Sequence, residues 1–246
     1  MIIQAVNCYL MASAGGPAPS SDTSVEVQGS VDGSNDSEVV SVHVWRGVDQ
    51  TTPVDVATTT ATGINWGRPN PPAITPITAG AIVVACGLGA NPSNAGVFTT
   101  TDLSNFATVR ESAPFYKSIV GMGSAAWTSG ALDPAAFSGG SNSSGASWCA
   151  ATMALRPAAG ESLQFVGMAT ATRSGATGAW SVSLESLTGG IASAPAVGDV
   201  IIVCYGIASP ANDTLGVNTA GYTELVELHS DDSTDTNLSL NWKIAA

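Results

Sequence analysis

Val39-Val40-Ser41-Val42-His43-Val44-Trp45 puts valine at 40, 42 and 44, with Ser41, His43 and Trp45 between. A period of two sends successive side chains to opposite faces of an extended chain. The stretch therefore predicts a β-strand with one row on a core and the other toward water or a second layer. Ser24-Val25-Glu26-Val27-Gln28 and Leu238-Ser239-Leu240-Asn241-Trp242-Lys243-Ile244 alternate in the same way. Ala81-Ile82-Val83-Val84-Ala85-Cys86 and Val200-Ile201-Ile202-Val203-Cys204-Tyr205 are unbroken apolar runs. Such runs suit central strands covered on both faces.

Turn-forming clusters separate these stretches: Asp32-Gly33-Ser34-Asn35-Asp36, the run from Gly139 to Gly145, and Thr188-Gly189-Gly190. Gly, Asn and Asp supply the positive φ that tight turns require. Pro69-Asn70-Pro71-Pro72 predicts a stiff extended connector. Apolar residues rarely recur at helical spacing, and 27 glycines with 13 prolines in 246 residues exclude a helical bundle. The expected fold is all-β, from many short strands with Gly- and Pro-rich turns.

Segments recur within the chain. Gly80-Ala-Ile-Val-Val-Ala-Cys86 aligns with Gly198-Asp-Val-Ile-Ile-Val-Cys204. Phe106-Ala-Thr-Val-Arg-Glu111 aligns with Tyr222-Thr-Glu-Leu-Val-Glu227, and Val40-Ser-Val-His-Val-Trp-Arg46 with Ala150-Ala-Thr-Met-Ala-Leu-Arg156. Two copies of one jelly-roll-like antiparallel β-sandwich unit, related by an internal repeat, account for all three pairs. Gln4–Ala12 also resembles Leu238–Ala246, so both ends of the chain occupy the same phase of the unit. The expected division is residues 48–158 as the first sandwich and 1–47 plus 159–246 as a second, discontinuous one. The rival arrangement donates the N-terminal strands to a neighbouring copy.

Charged residues are 11% of the chain, against about 25% in an average soluble protein. Seven Lys and Arg against nineteen Asp and Glu leave a formal charge of −12. So few cations cannot neutralise a phosphate track, and the same deficit disfavours an anionic membrane surface. A hydrophobic fraction of 44% excludes disorder. No apolar run reaches the length of a membrane span. The apolar N-terminus carries no preceding Lys or Arg, so no signal peptide is expected.

Chemistry-bearing patterns are sparse. Cys8, Cys86, Cys149 and Cys204 match no zinc or redox spacing and read as small buried hydrophobes, with a disulfide as the lesser alternative. His43 lies inside a strand pattern and reads as structural or surface, and His229 selects no particular serine as a partner. No Gly-x-Ser-x-Gly elbow or phosphate-cradling loop is present. Asp49, Asp55, Glu185 and Glu227 offer carboxylates, but their spacing selects no catalytic pair. No catalytic, cofactor-binding or metal site is therefore assigned. The candidates for ligand contact are Trp66, on an expected loop where its ring could stack on a sugar, and Asp231, Asp232 and Asp235. These three belong to the densest acidic run, a solvated turn by default and a Ca²⁺-binding loop as the alternative.

Val42-His-Val-Trp-Arg-Gly-Val-Asp49, followed by Thr52-Pro53, resembles a recurrent segment of bacteriophage structural proteins. Such segments occur in virion, tail-fibre and prophage proteins and in some bacterial surface proteins. Companion features are the apolar strand after Pro76 and Gly80, Met153-Ala-Leu-Arg-Pro157, and Leu187-Thr-Gly-Gly-Ile-Ala-Ser-Ala-Pro195 ahead of Gly198-Asp199. The resemblance covers most of the chain from about residue 20 onward and transfers no functional residues. It implies a non-enzymatic virion protein on the particle exterior: a decoration, collar or fibre subunit whose partners are other virion proteins and copies of itself. The second expectation is a carbohydrate- or receptor-binding module of a tail fibre or bacterial adhesin, engaging a host surface glycan or receptor. A third is a polysaccharide-cleaving enzyme.

Overall fold

The computed structural model describes residues 17–29, 36–64, 68–90, 96–112, 116–140, 146–174, 178–209, 211–230 and 235–246. Within these the chain is all-β. In chain order the strands are β1 (Ser24–Gly29), β2 (Ser37–Arg46), β3 (Thr59–Ile64), β4 (Ile82–Ala90), β5 (Phe98–Thr99), β6 (Ser104–Glu111), β7 (Ser118–Ala126), β8 (Ser138–Gly139), β9 (Ser147–Leu155), β10 (Gln164–Ser174), β11 (Trp180–Ser183), β12 (Val200–Ser209), β13 (Leu215–Val217), β14 (Thr223–Ser230) and β15 (Asp235–Ile244). All pairings between them are antiparallel.

Two five-stranded sheets form the body, ordered β10-β2-β12-β15-β14 and β3-β9-β4-β7-β6. They pack face to face over one apolar cluster. Val39, Trp45, Val200, Ile202, Cys204, Leu238 and Leu240 enter it from the first sheet. Val84, Cys86, Leu88, Val120, Met122, Cys149, Met153 and Leu155 enter from the second. The opposite face of the β12 sheet carries Val40, Val42, Val44, Ile201, Val203 and Tyr205, and meets Val25, Val27, Val182 and Leu215 of a small outer sheet, β11-β1-β13. Beyond the β4 sheet lies a β5–β8 ribbon, with Phe98 and Phe137 packed on Ile119. β2 therefore has a layer on each side, and its Val40/Val42/Val44 row and its His43/Trp45 row are both buried. β1, by contrast, keeps the strict exposed–buried alternation of a half-covered strand.

The matched sequence segments occupy like positions. Gly80–Cys86 runs into β4 and Gly198–Cys204 into β12, each the central strand of its sheet. Arg46 closes β2, and Arg156 immediately follows β9; each strand is second from an edge. Phe106–Glu111 lies in β6, and Tyr222–Glu227 enters β14, both at edges. β2 lies between β10 and β12 of its own chain, and β1 between β11 and β13. The Gln4–Ala12 segment and Cys8 fall outside the described residues.

The central strands approach closely because the chain places glycine where a side chain would collide. A Cβ on Gly206 of β12 would come 2.6 Å from Leu88 Cδ1 of β4. Gly206→Ala forces Leu88 off its seat, and overpacking of this kind costs about 1–3 kcal/mol. A lower urea midpoint at constant m-value is expected, and a midpoint equal to the parent's would contradict this packing. Gly47, with φ +79°, turns the chain out of β2 against the carbonyl of Ser162, which a Cβ would meet at 2.6 Å.

Candidate functional site

The ends of the stacked sheets differ in chemistry. At one end each central pair of strands is closed by an arginine. The Arg46 guanidinium donates to both carboxylate oxygens of Asp199, each at 2.8 Å, and Asp199 also accepts the Ala196 N–H. This bidentate pairing strengthens the guanidinium's hold on its proton against the cost of burial. Arg156 donates to Asp55 Oδ1 at 3.1 Å, to the Asp55 carbonyl and to Thr52 Oγ1. Burial alone would push the Asp55 carboxyl up. The Thr78 hydroxyl, the Ile77 and Thr78 N–H groups and Arg156 outweigh burial and hold it below the usual carboxylate range.

The two clasps are joined. Val48 bridges to Pro157, Asp49 N–H donates to the Arg156 carbonyl, and Ala158 N–H to the Gly47 carbonyl. Around this end the large apolar side chains Ile77, Ile191 and Val197 face solvent, 69%, 58% and 50% exposed. Each is tied to the clasps by its neighbours. Ile77 N–H donates to Asp55, Ile191 N–H donates to the carbonyl of Phe165 opposite Trp45, and Val197 lies two residues before Asp199. The sequence signal for these clasps was the arginine ending each matched strand; their carboxylate partners carried none.

The opposite end is acidic. Trp66, Asp231 and Asp232 lie outside the described residues. Asp235 is placed, and it is 6% exposed, opposite Ser209 at the start of β15. Its Oδ2 lies 3.1 Å from His229 Nε2. Asp36 and Asp213 are buried at the same end. Asp213 N–H donates to Asn237 Oδ1, and Asn237 Nδ2 donates to the Ala211 carbonyl, which pins the 211–214 connection on β15. Asp235 is thus integrated into the fold, whereas the acidic-run reading had it presented to solvent. Among the described residues, no three or more His, Cys, Asp and Glu side chains gather in a metal-holding arrangement.

The densest polar constellation was not legible as a site. Glu38, 1% exposed on the Val40 face of β2, accepts Arg173 Nε at 2.8 Å, Trp180 Nε1 at 2.7 Å and the Tyr205 hydroxyl at 2.5 Å. Arg173 also donates to the Gly178 carbonyl, and its guanidinium stacks 5.5 Å from the Trp180 ring centroid. Burial, then the neighbouring Glu38 charge and hydrogen bond, push the Tyr205 phenol far above its ordinary value. Four strands meet here: β2, β10, β11 and β12. A glutamate embedded in an apolar strand was the one available signal, because a buried carboxylate demands partners. A smaller clasp repeats the chemistry at the surface, with Lys243 Nζ 2.5 Å from Asp22 Oδ1 and Ser20 and the Ala246 N–H completing the carboxylate's contacts.

The surface depressions are shallow. One of about 390 Å³ runs along β10 and β11 beside Met168, Thr170, Ser181 and Ser183. Another, about 350 Å³, is lined by Ser21, Asp22, Thr23, Ser24, Glu26, Ser181 and Thr219. The first wall offers hydroxyls and short side chains, and the second adds the carboxylates of Glu26 and of Asp22, the latter already held by Lys243. No helix among the described residues is long and apolar enough to cross a membrane. No family model, no curated protein and no solved structure matches this chain.

Proposed function

We propose that the chain is a non-enzymatic bacteriophage virion structural protein on the particle exterior, a decoration, collar or fibre subunit working through protein–protein contacts. The observation that carries this reading is the arginine-clasped end. Rigid turns there hold Ile77, Ile191 and Val197 in water, while the adjoining charges are spent on internal pairs. Exposed apolar residues over a stiff, charge-poor frame suit burial against a neighbouring subunit, because few ions need desolvating. The resemblance around Val42–Asp49 names the kind of assembly, and the charge of −12 favours a face turned away from packaged DNA. At least four of the seven basic side chains are paired internally, which adds to that bias.

The test is location and association. The protein is expected in purified particles and, with Ile77→Ser and Val197→Ser, to lose particle occupancy several-fold while keeping its thermal midpoint within a few degrees. Absence from particles, or unchanged occupancy in the double variant, would refute the reading. The alternative, a carbohydrate- or receptor-binding module, draws on the acidic end, where Asp235 adjoins Asp231 and Asp232 in sequence. It predicts glycan-array signal that Asp231→Asn and Asp232→Asn reduce, with Ca²⁺ raising the thermal midpoint. A blank array with no Ca²⁺ shift argues against it.

A further inference from the structure

Cys86 sits in β4 and Cys204 in β12, the central strands of the two five-stranded sheets, and both face the shared apolar core with no more than 1% exposure. Their alignment follows from two independent contacts. Position 206 of β12 lies directly over Leu88 of β4. Both strands also begin at the end where the Arg46 and Arg156 segments are bridged, so they run the same way. Two residues back along each strand, Cys204 therefore lies over Cys86. The Cys86 thiol is accordingly close enough to raise the Cys204 thiol well above its ordinary value. Cys149 of β9 is the third thiol in this core. It stands opposite Leu88 rather than Cys86, and its S–H is directed at the Thr236 carbonyl, 3.3 Å away. Of the three pairings these thiols permit, one is poised.

We propose that Cys86 and Cys204 are a built-in site for a disulfide that staples the two five-stranded sheets through their common core. The thiols are free in the structure. Closure removes two protons and two electrons, and hydrogen peroxide is the oxidant. One thiolate attacks a peroxide oxygen, the O–O bond breaks, and a sulfenic acid forms with release of hydroxide, which takes a proton to become water. The second thiolate attacks the sulfenic sulfur, the S–O bond breaks, and the departing hydroxide is protonated to a second water. The neighbouring Cys86 thiol and burial hold the Cys204 thiol well above its ordinary value, and both residues are sealed from solvent, so the reaction proceeds through brief openings of the sheet stack that admit water and peroxide. Once formed, the bond encloses more than a hundred residues between its ends and restricts the unfolded chain accordingly.

The experiment uses the full chain. Native protein is incubated with hydrogen peroxide or with reductant, unfolded in alkylating agent, and analysed by intact mass and peptide mapping. The oxidised sample is expected about 2 Da lighter before alkylation, with one cross-linked peptide pair containing Cys86 and Cys204. Its thermal midpoint should rise by about 10 °C and return on reduction. Cys149→Ala should retain the cross-link, and Cys204→Ala should abolish it. Full alkylation of Cys86 and Cys204 after peroxide, a link through Cys149 or Cys8, or sulfinic acid without a link would overturn the proposal. Mapping of the parent protein decides the matter even if an alanine variant fails to fold.

Discussion

Glu38→Ala is expected to cost the fold about 3–5 kcal/mol, the penalty for leaving one member of a buried ion pair without its counter-charge. The substitution strands Arg173, whose side chain is only 17% exposed, and takes the acceptor from Trp180 Nε1 and the Tyr205 hydroxyl at once. Urea unfolding followed by tryptophan fluorescence measures the loss. Glu38→Gln keeps one carbonyl acceptor and should lose distinctly less. Arg173→Met should be damaging alone yet add little to Glu38→Ala, since the two groups share one network. A Glu38→Ala midpoint within about 0.5 kcal/mol of the parent would mean that the four-strand clasp contributes nothing net.

Lowering the pH from 7 to 5 should remove about 2 kcal/mol through His43 alone. The ring is fully buried, edge-on to Phe165 at 5.1 Å between centroids, and neither nitrogen has a hydrogen-bond partner. Its cross-strand neighbours, Met168 and Ile202, carry no charge. Desolvation of the imidazolium drives the folded-state pKa down to about 3 from the usual 6.5. Below pH 6.5 the unfolded chain therefore takes up a proton that the native chain refuses. Stability is whole above that value, falls as the pH drops through it, and stops falling near pH 3. The carboxylates of Asp22 and Asp55, held below 3.8, give up their contributions only in more acid solution, while Glu224, raised by burial and the Glu227 charge, takes up its proton more readily when folded and partly offsets the loss, so the histidine's share is the difference between parent and His43→Leu. His43→Leu should flatten the dependence between pH 7 and 5. A variant that kept the parent's slope would place the effect elsewhere.

Much of the architecture could be read from side-chain order. Ala81–Cys86 and Val200–Tyr205 were legible as central strands because no charged residue interrupts either apolar run, as a strand covered on both faces requires. The half-covered β1 was legible from Val25 and Val27 between Ser24, Glu26 and Gln28. The ligand-contact candidates were a weaker reading, for loop composition records what is polar and not what it touches. Asp235 looked like part of a solvated turn, and only β15's pairing shows it beside His229 under the 211–214 connection.

The amino-acid order by itself settled the strand class, the two central strands and the acidic, cation-poor surface, because periodicity and charge are local properties that any extended chain must express. Tertiary structure alone decided that Glu38 gathers Arg173, Trp180 and Tyr205, that His43 is sealed without a partner, and that Cys204 lies over Cys86. Those relations join residues more than a hundred positions apart, and they exist only once the layers have closed on one another and expelled water, the small outer sheet over the Val40 face for Glu38 and the two five-stranded sheets for His43 and the cysteines.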